Sequence, residues 1–212
     1  MRDFDFYFIT DSLLSKNGIV NDVRAAIRAG VRIVQYREKE KTTREMVKEA
    51  RILREMCRKA EVTFVVNDRV DVALACDADG VHIGEKDMDF QTARKILGED
   101  KIIGVSVSSL NEAKEFEKLG ANYVSFGPIF ETKTKKDAGK PIGIDVLEEA
   151  SKTLRIPFVA IGGINQENLR EVLETGCTRV CMISAILKGD VEDEIRKVRR
   201  VINEYATRAR EK

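Results

Sequence analysis

The chain has 212 residues, with 37 Lys plus Arg against 36 Asp plus Glu and a single His, for a formal net charge of +1. Such a balance excludes a generic polyanion binder, which needs a clear cationic excess, so no nucleic-acid partner is expected. Hydrophobic residues make up 43% and charged residues 34%, a mixture that can bury a core and still solvate a surface, unlike a disordered composition.

The longest apolar stretches, Ile156–Ile164 and Val180–Leu187, fall well short of the roughly 20 residues that cross a bilayer, so no membrane span is expected. Near the start, Asp3 and Asp5 interrupt the apolar core that a secretion signal requires, and the expected compartment is the cytoplasm. The cysteines, Cys57, Cys76, Cys177 and Cys181, form no CxxC pair and stand at no zinc spacing, which predicts buried free thiols.

In chain order, short β-branched or aromatic runs alternate with segments whose apolar residues recur every three or four positions. Strand Phe4–Thr10 is followed by helix Val20–Ala29, strand Arg32–Tyr36 by helix Thr43–Ala60, and strand Val62–Val66 by helix Arg69–Ala75. Strand Gly80–Ile83 then leads to helix Phe90–Leu97, strand Ile102–Ser106 to helix Leu110–Leu119, and strand Tyr123–Phe126 to helix Ile144–Leu154. Strand Pro157–Ile161 precedes helix Asn168–Thr175, and strand Arg179–Met182 precedes helix Val191–Ala206. Gly30, Gly98, Gly120 and Gly176 stand where a positive φ would close a last helical turn.

Strict alternation dictates right-handed crossovers and a parallel sheet buried on both faces. Eight repeats predict an α/β fold, a single (β/α)₈ TIM barrel over residues 1–212, with an open doubly wound sheet as the alternative. No GxGxxG follows the first strand, which disfavours the dinucleotide-binding version of that alternative. No Pro-rich, Ser-rich or single-charge linker marks a domain boundary.

A barrel builds its active site where strands end and helices begin. After the second strand comes Gln35-Tyr36-Arg37-Glu38-Lys39, and alternation puts Gln35, Arg37 and Lys39 on one side. A solvated charged turn is an equally good reading of this segment alone. After the third strand comes Asn67-Asp68, and after the fourth comes Asp87. A helix cap is the simpler reading of Asp68, but adjacent strands bring both loops together, and two carboxylates beside several cations suit Mg²⁺ shared with substrate phosphates. His82 lies within an apolar run, which points to a structural or rim role, and the lack of a partnered nucleophile argues against acyl transfer.

The segment 127–143 is long for a βα connection and reads as a lid or binding loop, with the Thr and Lys residues of Thr132-Lys133-Thr134-Lys135 as anion donors. Gly162-Gly163 after the seventh strand and Ile183-Ser184 at the eighth stand where such barrels commonly bind phosphate, although paired glycines also make a tight turn. The whole inventory holds two anionic groups apart and offers no nucleophile of its own. It suits dissociative transfer between two phosphorylated small molecules, one leaving group being neutralised by a cation cluster.

These residues also carry a resemblance. The segments QYREK, VNDRVDVAL, DGVHIGEKD, GVS, GPIFETKTK, VAIGGI and MISAI, in this order over nearly the whole chain, resemble the thiamine phosphate synthase family. The resemblance implies a transferase that couples hydroxymethylpyrimidine diphosphate with thiazole phosphate, releasing pyrophosphate by way of a pyrimidine carbocation, with Mg²⁺ as cofactor. On the matching positions, Gln35, Tyr36, Arg37, Glu38, Lys39, Asn67, Ser106 and Lys135 would contact the pyrimidine diphosphate, with Arg37, Lys39, Ser106 and Lys135 assisting the chemistry. Asp68 and Asp87 would hold the metal, and Thr132, Lys133, Thr134, Gly163, Ile183 and Ser184 would hold the thiazole phosphate. One position departs from the family pattern: Ser108 stands where relatives often carry His. Two other readings share the barrel: a thiazole tautomerase, which needs no diphosphate clamp, and a non-catalytic phosphate-ligand binding module.

Overall fold

The computed structural model describes residues 3–134 and 138–210, with side chains through 208. Eight strands alternate with helices: β1 (Tyr7–Ile9), α1 (Ile19–Arg28), β2 (Ile33–Tyr36), α2 (Thr43–Lys59), β3 (Thr63–Asn67), α3 (Val70–Ala75), β4 (Gly80–Ile83) and α4 (Phe90–Leu97). The second half runs β5 (Ile102–Val107), α5 (Leu110–Lys118), β6 (Tyr123–Phe126), α6 (Asp145–Thr153), β7 (Phe158–Ile161), α7 (Leu169–Glu174), β8 (Val180–Cys181), α8 (Ser184–Leu187) and α9 (Val191–Arg210). All strand pairs are parallel, in sequence order. A parallel bridge between Phe6 and Val180, with Val180 N–H donating to the Asp5 carbonyl at 3.1 Å, brings the last strand to the first. The molecule is a (β/α)₈ barrel, and the open-sheet alternative is excluded.

Period-two alternation divides the strand residues between two layers. Inward positions, including Tyr7, Ile9, Ile33, Val65, Tyr123, Val159 and Cys181, pack together inside the barrel. Outward positions such as Phe8, Val34, Phe64, Val66, Val124 and Phe126 pack against the helices. The helices answer with apolar stripes at three- and four-residue spacing: Ile19, Val23 and Ala26 on α1, and Val191, Ile195, Val198 and Ile202 on α9, all buried. Helix α2 opens with a capping box in which the Thr42 hydroxyl accepts from Glu45 N–H and the Glu45 carboxylate accepts from Thr42 N–H.

All four stop glycines have φ of 77–87°, a conformation that favours glycine. Two differences from the sequence reading have plain causes. The four-residue α8 is too short to leave a periodic signal, and α9 continues to Arg210 rather than ending at Ala206 because no Gly or Pro follows to stop it. All four cysteines are buried and free. Among the described residues no helix is long and apolar enough to cross a membrane.

Candidate active site

The C-terminal ends of the strands surround a cavity of about 310 Å³. At the end of β2, alternation turns Gln35, Arg37 and Lys39 toward it. The Arg37 guanidinium donates to Asp11 Oδ2 at 2.6 Å, and its backbone N–H donates to Thr10 Oγ1 at 2.9 Å. The cation is thus held against the barrel rim by residues that follow β1.

Tyr36 and Glu38 alternate the other way, and neither side chain lines the cavity. Tyr36 is fully buried and its hydroxyl donates to Glu49 on α2 at 2.8 Å. The Glu38 carboxylate accepts from Ser12 Oγ at 3.0 Å and from the N–H groups of Lys39 and Glu40 at 2.8 Å. Glu38 therefore shapes the loop that carries Lys39, and of the run Gln35 to Lys39 these two side chains are the ones that do not line the cavity.

Asp68 and Asp87 meet at the mouth, beyond β3 and β4, within hydrogen-bond reach of one another. Asp68 does not cap α3. Its φ of 61° is left-handed, the position before the helix is Arg69, and no side chain caps there. An Asp tolerates that backbone better than most residues, and the turn aims its carboxylate at the Lys39 ammonium, with which it pairs. Asp87 is steadied by Gly84 N–H, which donates to Oδ2 at 2.8 Å. Burial pushes the Asp87 carboxyl upward, and the neighbouring Asp68 carboxylate adds to the effect. Burial works against the Asp68 anion too, but the hydrogen bond from Asp87 and the Lys39 ammonium together hold it below the usual carboxylate range. A divalent cation relieves such crowding and takes oxygen donors. Among the described residues no group of three or more His, Cys, Asp and Glu side chains stands together as a metal site.

The cavity floor is polar where barrel interiors are usually filled with aliphatic residues. His82 Nε2 lies 2.9 Å from Ser106 Oγ and Nδ1 lies 3.0 Å from the Tyr123 hydroxyl, which in turn lies 2.6 Å from the Tyr7 hydroxyl. His82 thus sits, buried, on the floor of the cavity with a partner at each ring nitrogen. Tyr7 and Tyr123 were not singled out from the sequence. Their inward register is legible there, but their hydroxyl partners come from distant strands. Ser106 is exposed to the opening, as a ligand-contacting group must be. Ser108 does not line the cavity. It lies just beyond the end of β5, and its hydroxyl donates to Glu112 on α5 at 3.0 Å.

Across the barrel, Thr132, Thr134, Gly163, Ile183 and Ser184 line the mouth, whereas Lys133 is exposed and does not. Lys135 lies outside the described residues. The loop after β6 is pinned on β7, with Ile129 N–H donating to Ile161 O and Phe130 N–H to Gly162 O, both at 2.9 Å. A Cβ at Gly162 would stand 2.5 Å from Pro128 Cα, and one at Gly163 would stand 2.6 Å from Glu131 O. The paired glycines let this loop lie flat at the rim. Helix α8 starts at Ser184, and its Ile186 and Leu187 N–H groups donate back to the Ile183 carbonyl at 3.2 and 3.0 Å.

A family model described as thiamine monophosphate synthase matches residues 6–186. The thiamine-phosphate synthase of Methanosarcina barkeri is 54% identical over 195 residues, covering 92% of this chain and 88% of the relative. That of Syntrophomonas wolfei is 44% identical, with 94% and 96% covered. The solved thiamine phosphate pyrophosphorylase of Pyrococcus furiosus superimposes with a TM-score of 0.87 at 41% identity, covering 95% of this chain and 96% of that one. By this match over most of its length and by its barrel, the chain belongs to the thiamine monophosphate synthase family, and it is a transferase that makes thiamine phosphate.

Proposed function

We propose that the chain joins hydroxymethylpyrimidine diphosphate to thiazole phosphate with the two anions seated on opposite sides of the barrel mouth. The observation that carries this division is the convergence of Asp68, Asp87 and Lys39 at β2 to β4, four strands round the barrel from the Gly163 and Ser184 rim at β7 and β8. Two like-charged substrates can then approach without sharing one site.

Arg37 and Lys39 neutralise the diphosphate, Asn67 and Gln35 line the same side, and Ser106 contacts the pyrimidine from the floor. Lys135, carried over from the family pattern, would add a further cation. Asp68 and Asp87 would hold Mg²⁺, which when bound supplies charge neutralisation at the leaving diphosphate. Thr132, Thr134, Gly163, Ile183 and Ser184 seat the thiazole phosphate. The methylene carbon–oxygen bond breaks with both electrons leaving on the diphosphate. The thiazole nitrogen lone pair then forms the new carbon–nitrogen bond, so no protein nucleophile is needed. Fixing both partners makes the encounter effectively unimolecular, a gain that can reach roughly 7 to 11 kcal/mol in well-oriented systems.

The purified protein with both precursors and Mg²⁺ should release pyrophosphate and thiamine phosphate in equal amounts, followed by coupled pyrophosphate detection and chromatography. No release rejects the assignment. Conversion of thiazole phosphate alone, without the pyrimidine substrate, would favour the tautomerase reading.

A further inference from the structure

The floor of the cavity is a continuous hydrogen-bonded line. Gln35 Nε2 donates to the Tyr7 hydroxyl at 2.8 Å, Tyr7 and Tyr123 hydroxyls stand 2.6 Å apart, Tyr123 Oη is 3.0 Å from His82 Nδ1, and His82 Nε2 is 2.9 Å from Ser106 Oγ. We propose that Tyr7 and Tyr123 are positioning residues that fix His82 as its Nε2–H tautomer and thereby leave the Ser106 hydroxyl proton free to point into the cavity.

The direction follows from counting protons. Each phenol has one. Gln35 donates at the far end, so the Tyr7 proton passes to Tyr123, and the Tyr123 proton passes to His82 Nδ1, which must present its lone pair. A neutral ring then carries its proton on Nε2 and donates it to Ser106 Oγ. Having accepted there, the serine hydroxyl directs its own proton elsewhere, and Ser106 is the exposed member of the line. Desolvation pushes both phenols above their usual range, which keeps them neutral donors.

Packing alone does not account for the two hydroxyls. Tyr7 and Tyr123 are 1% and 0% exposed, where Phe would fill the same ring volume without a polar atom to satisfy. The backbone also makes room for this arrangement: a Cβ on Gly104 would stand 1.9 Å from Tyr123 Cζ, so glycine is required for the ring to reach Tyr7 and His82. Ser106 bears on the reaction through the pyrimidine contact proposed above, whereas the tautomer of His82 does not depend on it.

The chain has a single His, so long-range ¹H–¹⁵N correlation on ¹⁵N-labelled protein at neutral pH reads one imidazole without assignment. The expected spectrum shows a protonated Nε2 and a bare Nδ1. A protonated Nδ1 in the wild type overturns the proposal, whatever the variants do. Tyr123→Phe should abolish the Nε2–H preference and lower kcat about tenfold or more, with KM for thiazole phosphate unchanged. The double variant Tyr123→Phe with Ser106→Ala should be no slower than Ser106→Ala alone, because one acts through the other. Losses that multiply overturn the positioning role. If Tyr123→Phe does not fold, the wild-type tautomer decides. Absent turnover in the wild type would instead remove the functional reading and leave the tautomer result standing.

Discussion

Gly104→Ala is the most demanding test of how the barrel floor is built. An added Cβ would stand 1.9 Å from Tyr123 Cζ and 2.3 Å from both Cε1 and Oη, and Tyr123 is fully buried, with its ring edge-on to Tyr7 and stacked on His82. Over-packing a close-packed interior costs about 1–3 kcal/mol. Displacing the phenol also strands its hydrogen bonds to Tyr7 and His82, at about 1–3 kcal/mol for each buried group left unsatisfied. The total is about 2–6 kcal/mol if roughly one such group finds no new partner. For a chain of this size that corresponds to a Tm lower by roughly 4–24 °C. Gly18→Ala is the contrasting case: its Cβ would meet nothing within 4 Å, so only its backbone, at φ 84° and ψ 142°, resists a side chain, at a cost of about 1–3 kcal/mol. Thermal unfolding followed by circular dichroism measures both. Equal, small shifts for the two variants would refute the packing argument.

Asp68→Ala and Asp87→Ala should each lower pyrophosphate release by about 100-fold or more while the far-ultraviolet spectrum stays native, because charge-stabilising groups act on the departing oxygens. The Cys57 thiol is pushed up to about 12 and the Cys177 thiol to about 11 by burial, so a thiol reagent at pH 8 should label neither in the native protein, and all four cysteines in denaturant. Glu38 is held below its usual value of 4.5: burial raises it, but Glu40 N–H, Ser12 and Lys41 more than offset that. The unfolded chain therefore takes up this proton first as pH falls, and the stabilisation present at neutral pH is lost below about 4.5. Glu38→Gln should flatten the fall of denaturation midpoints through that window. Arg199 joins α9 to Asp5 at 2.8 Å and to the Ala29 carbonyl at 2.7 Å, and Arg199→Ala should lower stability by about 1–3 kcal/mol in urea titrations.

The barrel was legible because each strand and helix carries its own period, and because Gly30 and Gly120 mark helix ends that a backbone with positive φ requires. The rim residues were legible from their place after a strand. What local pattern could not supply was partnership. The run Gln35 to Lys39 reads as one charged block, yet the pleat sends Tyr36 to Glu49 on α2 and folds Glu38 back onto its own loop. Asp68 has the sequence position of a helix cap, and only its left-handed backbone redirects it to Lys39 and Asp87. Tyr7 and Tyr123 look like ordinary strand aromatics, and their role depends on contacts between β1, β2, β4 and β6 that no single segment encodes.

On the reading proposed above, the Asp68–Asp87 rim receives a diphosphate together with a divalent cation. Calorimetric titration of inorganic pyrophosphate into the protein, with and without Mg²⁺, tests this. Binding should require Mg²⁺ and vanish in Asp87→Ala, while thiazole phosphate still binds that variant. Pyrophosphate binding that is indifferent to both the cation and the substitution would contradict it.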